Sequence, residues 1–174
     1  MQTFTFTLKF TLPSGLNADQ CISRLEAVDC DDALVGIGQS GRLALQFDRT
    51  AANALEALVS ALSAIKIAIP DARLVEVAPD LVGLSDIAGL LGFSRQNMRK
   101  LMIKHSSEFP APVHDGSATI WHLATVLEWF VQHQQKPVAP DLLAIAKAAM
   151  QLNIVKESAH LEAGLSQRLI ALTA

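Results

Sequence analysis

Residues 3–12 alternate polar and apolar side chains without a break, and this pattern restricts the fold more than any other feature of the chain. A period of two, carried by threonine, phenylalanine and leucine, predicts a β-strand with one buried face. Such a strand has to lie in a sheet whose apolar face is covered by other elements. The sequence Pro13-Ser14-Gly15 indicates the turn that ends it.

The following residues supply the elements that such a sheet needs. Apolar residues at helical spacing predict a helix over Ala18–Val28, and a second helix is expected from an N-cap at Thr50 to about Ile69. Further strands are expected at Ala33–Gly38, Arg42–Phe47 and Ala72–Val77, the first two joined by a hairpin. The order strand, helix, strand, strand, helix, strand resembles the ferredoxin-like βαββαβ plan over residues 1–79.

The chain changes character after residue 80. Apolar residues recur at helical spacing in Leu84–Leu91 and again in Ser94–Lys104. Gly92, between them, can adopt the positive φ of a tight turn, and Ser85 and Ser94 are the expected N-caps. Two short helices joined by a turn that contains glycine form a helix-turn-helix unit.

A second pattern follows this unit along the chain. It consists of Phe109-Pro-Ala-Pro-Val113, then Asp115-Gly116, then Ile120-Trp-His122, and finally Val126–Phe130. Together with the preceding helices, it resembles the winged helix-turn-helix module of excisionase-type and MerR-type bacterial DNA-binding proteins, over about residues 82–132. The resemblance implies a wing hairpin, a helix after Trp121, and binding to double-stranded DNA.

Charge is distributed unevenly along the chain. The net charge is −3, and residues 1–80 contain six basic and ten acidic side chains. The segment from Arg95 to Lys104, in contrast, carries Arg95, Arg99, Lys100 and Lys104 and no acid. Local positive charge at the second helix favours contact with phosphates, although the chain as a whole is acidic. The alternative is a helix face that is simply solvated.

We expect the outward face of the second helix to contact DNA. In the major groove, arginine pairs with guanine and glutamine or asparagine pairs with adenine, and the first residues of a recognition helix reach the base edges. The expected base or near-base contacts are Arg95, Gln96, Asn97 and Arg99. The expected backbone contacts are Ser94, Lys100, Lys104 and His105, and, from the wing, His114, Ser117 and Thr119.

Residues 141–174 read as a C-terminal helical segment, with Asp141 as its N-cap and a proline-containing linker before it. An apolar stripe is formed by Leu142, Ile145, Ala149 and Leu152 and is continued by Leu161, Leu165, Leu169 and Leu172. Because one helix-turn-helix covers only a half-site, we expect this segment to form a homodimer. The alternative is that it folds back on its own chain, since Lys156 interrupts a strict heptad.

Several function classes are excluded or disfavoured. No nucleophile–base constellation, metal-ligand spacing or phosphate-binding loop is apparent, so no enzyme activity, cofactor or metal is expected. Cys21 and Cys30 are expected to be buried thiols, and Asp31 and Asp32 to face water. No apolar run approaches the roughly 20 residues that cross a bilayer, and no signal peptide is apparent, so a cytoplasmic location is expected.

The sequence therefore predicts an α+β protein with three parts. These are a ferredoxin-like domain over 1–79, a winged helix-turn-helix over 80–133, and a helix over 141–174. The expected function is sequence-specific DNA binding as a transcriptional regulator. The alternatives are an excisionase-like architectural protein, or a DNA-anchored adaptor whose N-terminal domain recruits a protein partner. That domain is also a candidate sensor for a small molecule.

Overall fold

The computed structural model describes residues 1–28, 30, 32–36, 39–133, 136–162 and 164–173. Over these residues the chain is a mixed α+β structure with two antiparallel sheets. None of the helices in these ranges is both long enough and apolar enough to cross a membrane.

The first sheet and its helices occupy residues 2–78. The elements are β1 (Gln2–Thr11), α1 (Ala18–Glu26), β2 (Ala33–Gly36), β3 (Arg42–Ala51), α2 (Ala54–Ala68) and β4 (Arg73–Ala78). The strands lie in the order β2-β3-β1-β4, and every neighbouring pair is antiparallel. The predicted order of elements is confirmed.

The alternation in β1 buries one face of this sheet. Phe4, Phe6, Leu8 and Phe10 are almost fully buried, whereas the threonines between them lie on the opposite face. Phe6 is in register with Phe47 of β3, and their rings stack with centroids 5.2 Å apart. Burying side chains of this size contributes about 1.5–3 kcal/mol each. The strand is therefore the centre of the first hydrophobic core.

The second sheet belongs to a smaller unit. Its elements are β5 (Leu81–Val82), α3 (Leu84–Leu91), α4 (Arg95–Lys104), β6 (His114–Asp115), β7 (Thr119–His122) and α5 (Leu123–Gln132). The strand order is β5-β7-β6. Trp121 and Trp129 are buried in the core of this unit, where they pack against Phe109. Both tryptophans are therefore core residues of this unit.

A long helix, α6 (Pro140–Ser158), connects the two cores, and α7 (Ser166–Thr173) follows it. Ile145 and Ala149 are buried in the first core, Ala146 is buried in the second, and Leu142 packs against both. The apolar stripe over 142–152 is therefore occupied within the chain, as the fold-back alternative expects. Farther along, Leu161, Leu165, Leu169 and Leu172 are exposed.

All three N-caps that were predicted for α2, α3 and α6 are wrong. Thr50 still belongs to β3, where its hydroxyl lies 2.9 Å from that of Thr3. The cap of α2 is Asn53, whose Oδ1 accepts from the backbone N–H of Glu56 at 2.9 Å. Strand pairing with β1 extends farther than the sequence indicates, so the helix starts later.

The other two helices begin earlier than predicted. α3 is capped by Gly83, whose N–H donates to the carboxylate of Asp86 at 2.9 Å, and Ser85 lies inside the first turn. In α6 the cap is Ala139, and Asp141 lies in the first turn behind Pro140. Proline is favoured there because the first helical residues need no N–H donor.

One smaller expectation for the first unit also changes. Asp32 does not simply face water, because its carboxylate accepts two bonds of 2.6 Å from the guanidinium of Arg49. These hydrogen bonds raise the pKa of Arg49, whereas burial of the guanidinium lowers it by a smaller amount. Asp31, Ile37 and Gly38 lie outside the described residues.

A buried polar cluster joins β4, the second sheet and α6. The carboxylate of Asp80 is only 1% exposed; its Oδ1 lies 2.7 Å from Nδ1 of His122, and its Oδ2 accepts from the amide of Asn153 at 2.8 Å. The same amide group donates to the carbonyl of Val77 at 2.8 Å and accepts from its N–H at 2.9 Å. Buried polar groups are tolerated when they are paired in this way.

Candidate nucleic-acid interface

A tight turn sets the start of α4. Gly92 ends α3 with a φ of 67°, in the left-handed region that side chains resist, and the N–H of Phe93 donates to the carbonyl of Ala88 at 2.8 Å. Ser94 is extended, and its Oγ accepts from the N–H of Asn97 at 3.1 Å, as predicted for an N-cap. The direction in which α4 leaves α3 is thus fixed by local backbone chemistry.

A lysine that the sequence reading did not single out supports this turn. Lys136 lies in the segment after α5, and its ammonium donates to the carbonyl of Leu91 at the end of α3. The same Nζ lies 4.7 Å from the ring centroid of Phe93, and a Cβ built on Gly92 would approach it to 3.2 Å. A cation at this position complements the carbonyl end of a helix.

The two faces of α4 differ sharply. Met98 is fully buried, and Leu101 and Met102 pack against the same core. The opposite face is exposed, and none of its side chains is hydrogen-bonded or ion-paired to another described residue. Its polar and charged residues are Arg95, Gln96, Asn97, Arg99, Lys100 and Lys104, and Ile103 is exposed as well. Four cations are therefore available to a partner, because no side chain in the described part of the chain neutralises them.

The start of α3, the exposed side of α4 and the second sheet border a groove of about 560 Å³, which we call the α4–wing groove. Arg95 and Arg99 line it from α4, and Ser117 and Thr119 line it from the hairpin formed by β6 and β7. Asp86 is also part of the lining, but its carboxylate is held by the N–H of Gly83. The folding of the chain thus brings together four of the residues predicted to contact DNA.

The tip of the β6–β7 hairpin is compact. Thr119 Oγ1 donates to Asp115 Oδ1 at 3.1 Å across the turn. A Cβ added to Gly116 would lie 2.6 Å from Nε2 of His114, so the imidazole lies directly over this glycine. His114 is exposed, and it does not line the α4–wing groove. Its closeness to the turn is explained by the absence of a side chain at residue 116.

His105 occupies a different environment from the other candidate residues. Its ring meets that of Trp129 edge-on, with centroids 5.4 Å apart, and its Nδ1 lies 3.7 Å from the carboxylate of Glu108. His133 stacks on the same tryptophan, with ring centroids 4.6 Å apart. The imidazole of His105 is therefore engaged with the core of the second unit rather than presented with the cations of α4.

The described residues offer no alternative metal-based site, because no three His, Cys, Asp or Glu side chains among them are grouped to hold an ion. Comparison with known proteins gives no match: no protein-family model fits the sequence, and no curated protein and no solved structure matches the chain. A functional assignment therefore rests on the geometry of the α4–wing groove and on the chemistry of its side chains.

Proposed function

We propose that this protein is a sequence-specific transcriptional regulator that binds double-stranded DNA with α4 in the major groove. The observation that carries the proposal is the α4–wing groove, in which Arg95 and Arg99 face Ser117 and Thr119. A helix with unpaired cations beside a β-hairpin matches the way in which winged modules combine base and backbone contacts.

The proposal includes the finer description of the fold. We assign the ferredoxin-like plan to residues 1–79, supported by the βαββαβ order and by helices that pack on one face of an antiparallel sheet. We assign a winged helix-turn-helix to residues 80–133. That assignment is supported by the left-handed glycine at residue 92 and by the three-stranded sheet that follows the two helices.

Each exposed side chain of α4 has a role in this proposal. Arg95 and Arg99 are one helical turn apart, so both face one strip of DNA, and each guanidinium can donate two bonds to O6 and N7 of a guanine. Gln96 and Asn97 lie in the first turn, where their amides match the edge of adenine. Lys100 lies farther along and pairs with phosphate, as does Lys104.

The charge of the chain makes this local surface decisive. The net charge is −3, and most of the acids lie in the N-terminal unit, so the protein as a whole repels DNA. Affinity has to come from the few cations of α4 and from duplication of the site. We therefore propose a homodimer on two half-sites, formed through the exposed leucines of residues 161–172.

A second candidate function is an adaptor or excisionase-like protein that is anchored on DNA and recruits a protein partner. It is favoured by the uncovered face of the first sheet and by Leu34, which is 71% exposed on the outer strand β2. An outer strand with an exposed apolar side chain is suited to pairing with another chain. DNA binding with little sequence preference would support this candidate over a regulator.

The test is selection of bound sites from a random DNA pool, followed by mobility-shift titration of the selected sequence. The double substitution Arg95→Ala/Arg99→Ala should weaken binding at least about 30-fold, because a good arginine–guanine pair contributes about 1–3 kcal/mol. Arg42→Ala/Arg73→Ala removes the same charge from exposed positions of the first unit and should have little effect. No enriched sequence and no binding below micromolar concentration at moderate salt would refute the proposal.

A further inference from the structure

A second concave surface, which we call the junction cavity, lies where the first sheet, the second sheet and α6 meet. Its volume is about 310 Å³, at the lower end of the roughly 300–1,000 Å³ of small-molecule sites. Leu81, Val113 and Ile154 form its apolar wall, and Asp80 and His122 supply polar groups. We propose that this cavity binds a small molecule with an apolar body and a protonated amine.

The apolar wall of the junction cavity favours a ligand with an apolar body over water. Leu81 is 46% exposed, Val113 is 51% exposed and Ile154 is 48% exposed. They come from three separate parts of the chain, namely β5, the segment before β6, and α6. Three half-exposed aliphatic side chains that converge on one concavity form the kind of surface to which the apolar body of a ligand binds.

The polar groups select the head group of the occupant. Nδ1 of His122 lies 2.7 Å from the carboxylate of Asp80, so the Nδ1–H can donate there and leave Nε2 as an acceptor. No described residue bonds to that Nε2. The carboxylate of Asp80 contacts an imidazole and an amide, and no lysine or arginine among the described residues reaches it. An ammonium group in the cavity would donate to Nε2 of His122, whereas the enclosed carboxylate of Asp80 contributes only its charge.

The charges around the junction cavity favour a cation over an anion. The lining contains three carboxylates, those of Glu76, Asp80 and Glu157, and one ammonium, that of Lys156. Glu76 is also paired with Lys9, whose Nζ lies 2.7 Å from Oε2 of Glu76. The ammonium of Lys156 already donates to the carbonyl of Val75 and to Glu157. Asp80 is thus the one carboxylate of the lining that no lysine or arginine among the described residues pairs with, so a protonated amine would meet charge of opposite sign and a ligand carboxylate would meet like charge.

The position of the cavity links it to the surface proposed to bind DNA. β7 is four residues long; Thr119 at one end lines the α4–wing groove, and His122 at the other end lines the junction cavity. The two ends are about 10 Å apart at the usual rise of a strand. A bound ligand would contact the second sheet and α6 together, and it would thereby restrict the movement of the β6–β7 hairpin. This regulatory step rests on the proposed function.

The binding step is tested with 2-phenylethylamine, and with 3-phenylpropionate as a probe of the same shape and opposite charge. In a titration of the full ¹⁵N-labelled chain, the amine should cause saturable shifts at the amides of Leu81, Val113 and Ile154. Ile154→Arg should weaken this binding at least about tenfold. Val155→Arg, at a position that is 64% exposed on the same helix and outside the lining, should leave it unchanged.

The absence of saturable shifts at these amides, equal binding of the phenylpropionate, or equal loss in Val155→Arg would each overturn the proposed site. The regulatory step is measured separately, as the Kd for selected DNA with and without saturating amine, and a change of at least about threefold is expected. Amine binding without any change in that Kd overturns the regulatory step. Amine binding by a protein that selects no DNA refutes the proposed function and leaves the site standing.

Discussion

Replacing Asn153 by alanine should destabilise the protein strongly, because this one side chain satisfies three buried groups. It is 6% exposed in α6, and it bonds to the N–H and the carbonyl of Val77 and to the carboxylate of Asp80 at 2.8–2.9 Å. Alanine leaves all three groups without this partner. Each buried polar group left unsatisfied costs about 1–3 kcal/mol.

The expected loss is therefore roughly 3–5 kcal/mol, allowing for entry of water at one of the three groups. For a chain of this size, that corresponds to a Tm lower by about 6–20 °C, at about 2–4 °C per kcal/mol. Both values follow from urea and thermal unfolding monitored by circular dichroism. The loss is a large part of the roughly 5–15 kcal/mol that stabilises an ordinary domain.

The matched control is Gln151→Ala, which removes an amide side chain from an exposed position of the same helix. It should change the free energy of unfolding by less than about 0.5 kcal/mol. The reasoning is refuted if Asn153→Ala lies within 1 kcal/mol of the parent protein, or if both variants lose the same stability. In the first case, the amide of Asn153 would not be needed to satisfy the junction.

Three further outcomes are expected. Gly92→Ala should cost about 1–2 kcal/mol in urea unfolding because φ is 67°, whereas Gly89→Ala, inside α3 with open space around its Cβ, should be neutral or stabilising; equal effects would contradict the role of the turn. Burial raises the pKa of the Cys21 thiol above its ordinary value of 9.0, so the unfolded thiol ionises first. The neutral Cys21 thiol therefore stabilises the protein at pH values below 9.0, and this stability is lost as the pH rises through the raised pKa. Cys21→Ala should make the free energy of unfolding depend less on pH in this range, and an unchanged pH dependence would show that the thiol is not involved. Lys100→Ala and Lys104→Ala should each lower the slope of log K against log salt for DNA binding by about 1 and weaken all sequences alike, and an unaltered slope would place these lysines away from phosphate.

Local periodicity explains which elements the sequence predicted correctly. Residues 3–12 alternate with period two, and α4 has three apolar residues at helical spacing, so both elements follow from the chain around them. The N-caps of α2 and α3 failed for a different reason. Their positions depend on where strand pairing stops and on which side chain reaches back, as Asp86 does to Gly83. Those are properties of the assembled sheet and turn.

Contacts between residues far apart in the chain could not be predicted from the sequence. Lys136 supports the end of α3 from 45 residues away, and Asn153 bonds to Val77 from 76 residues away, and neither contact has a local signal. The stripe that begins at Leu142 has the same spacing whether it faces a second chain or its own core. DNA binding itself stays a prediction, supported by exposed cations whose partner lies outside the chain.

The bonds from α6 to β4 have a consequence for how the first sheet ends. β4 is the last strand on its side, and such a strand offers free N–H and carbonyl groups to any other strand. Asn153 occupies both groups of Val77, and Lys156 occupies the carbonyl of Val75. The side chains of one helix thus act as the missing neighbour strand. In a chain truncated before Pro140, β4 should pair with strands of other copies, and the protein should form sheet-linked aggregates.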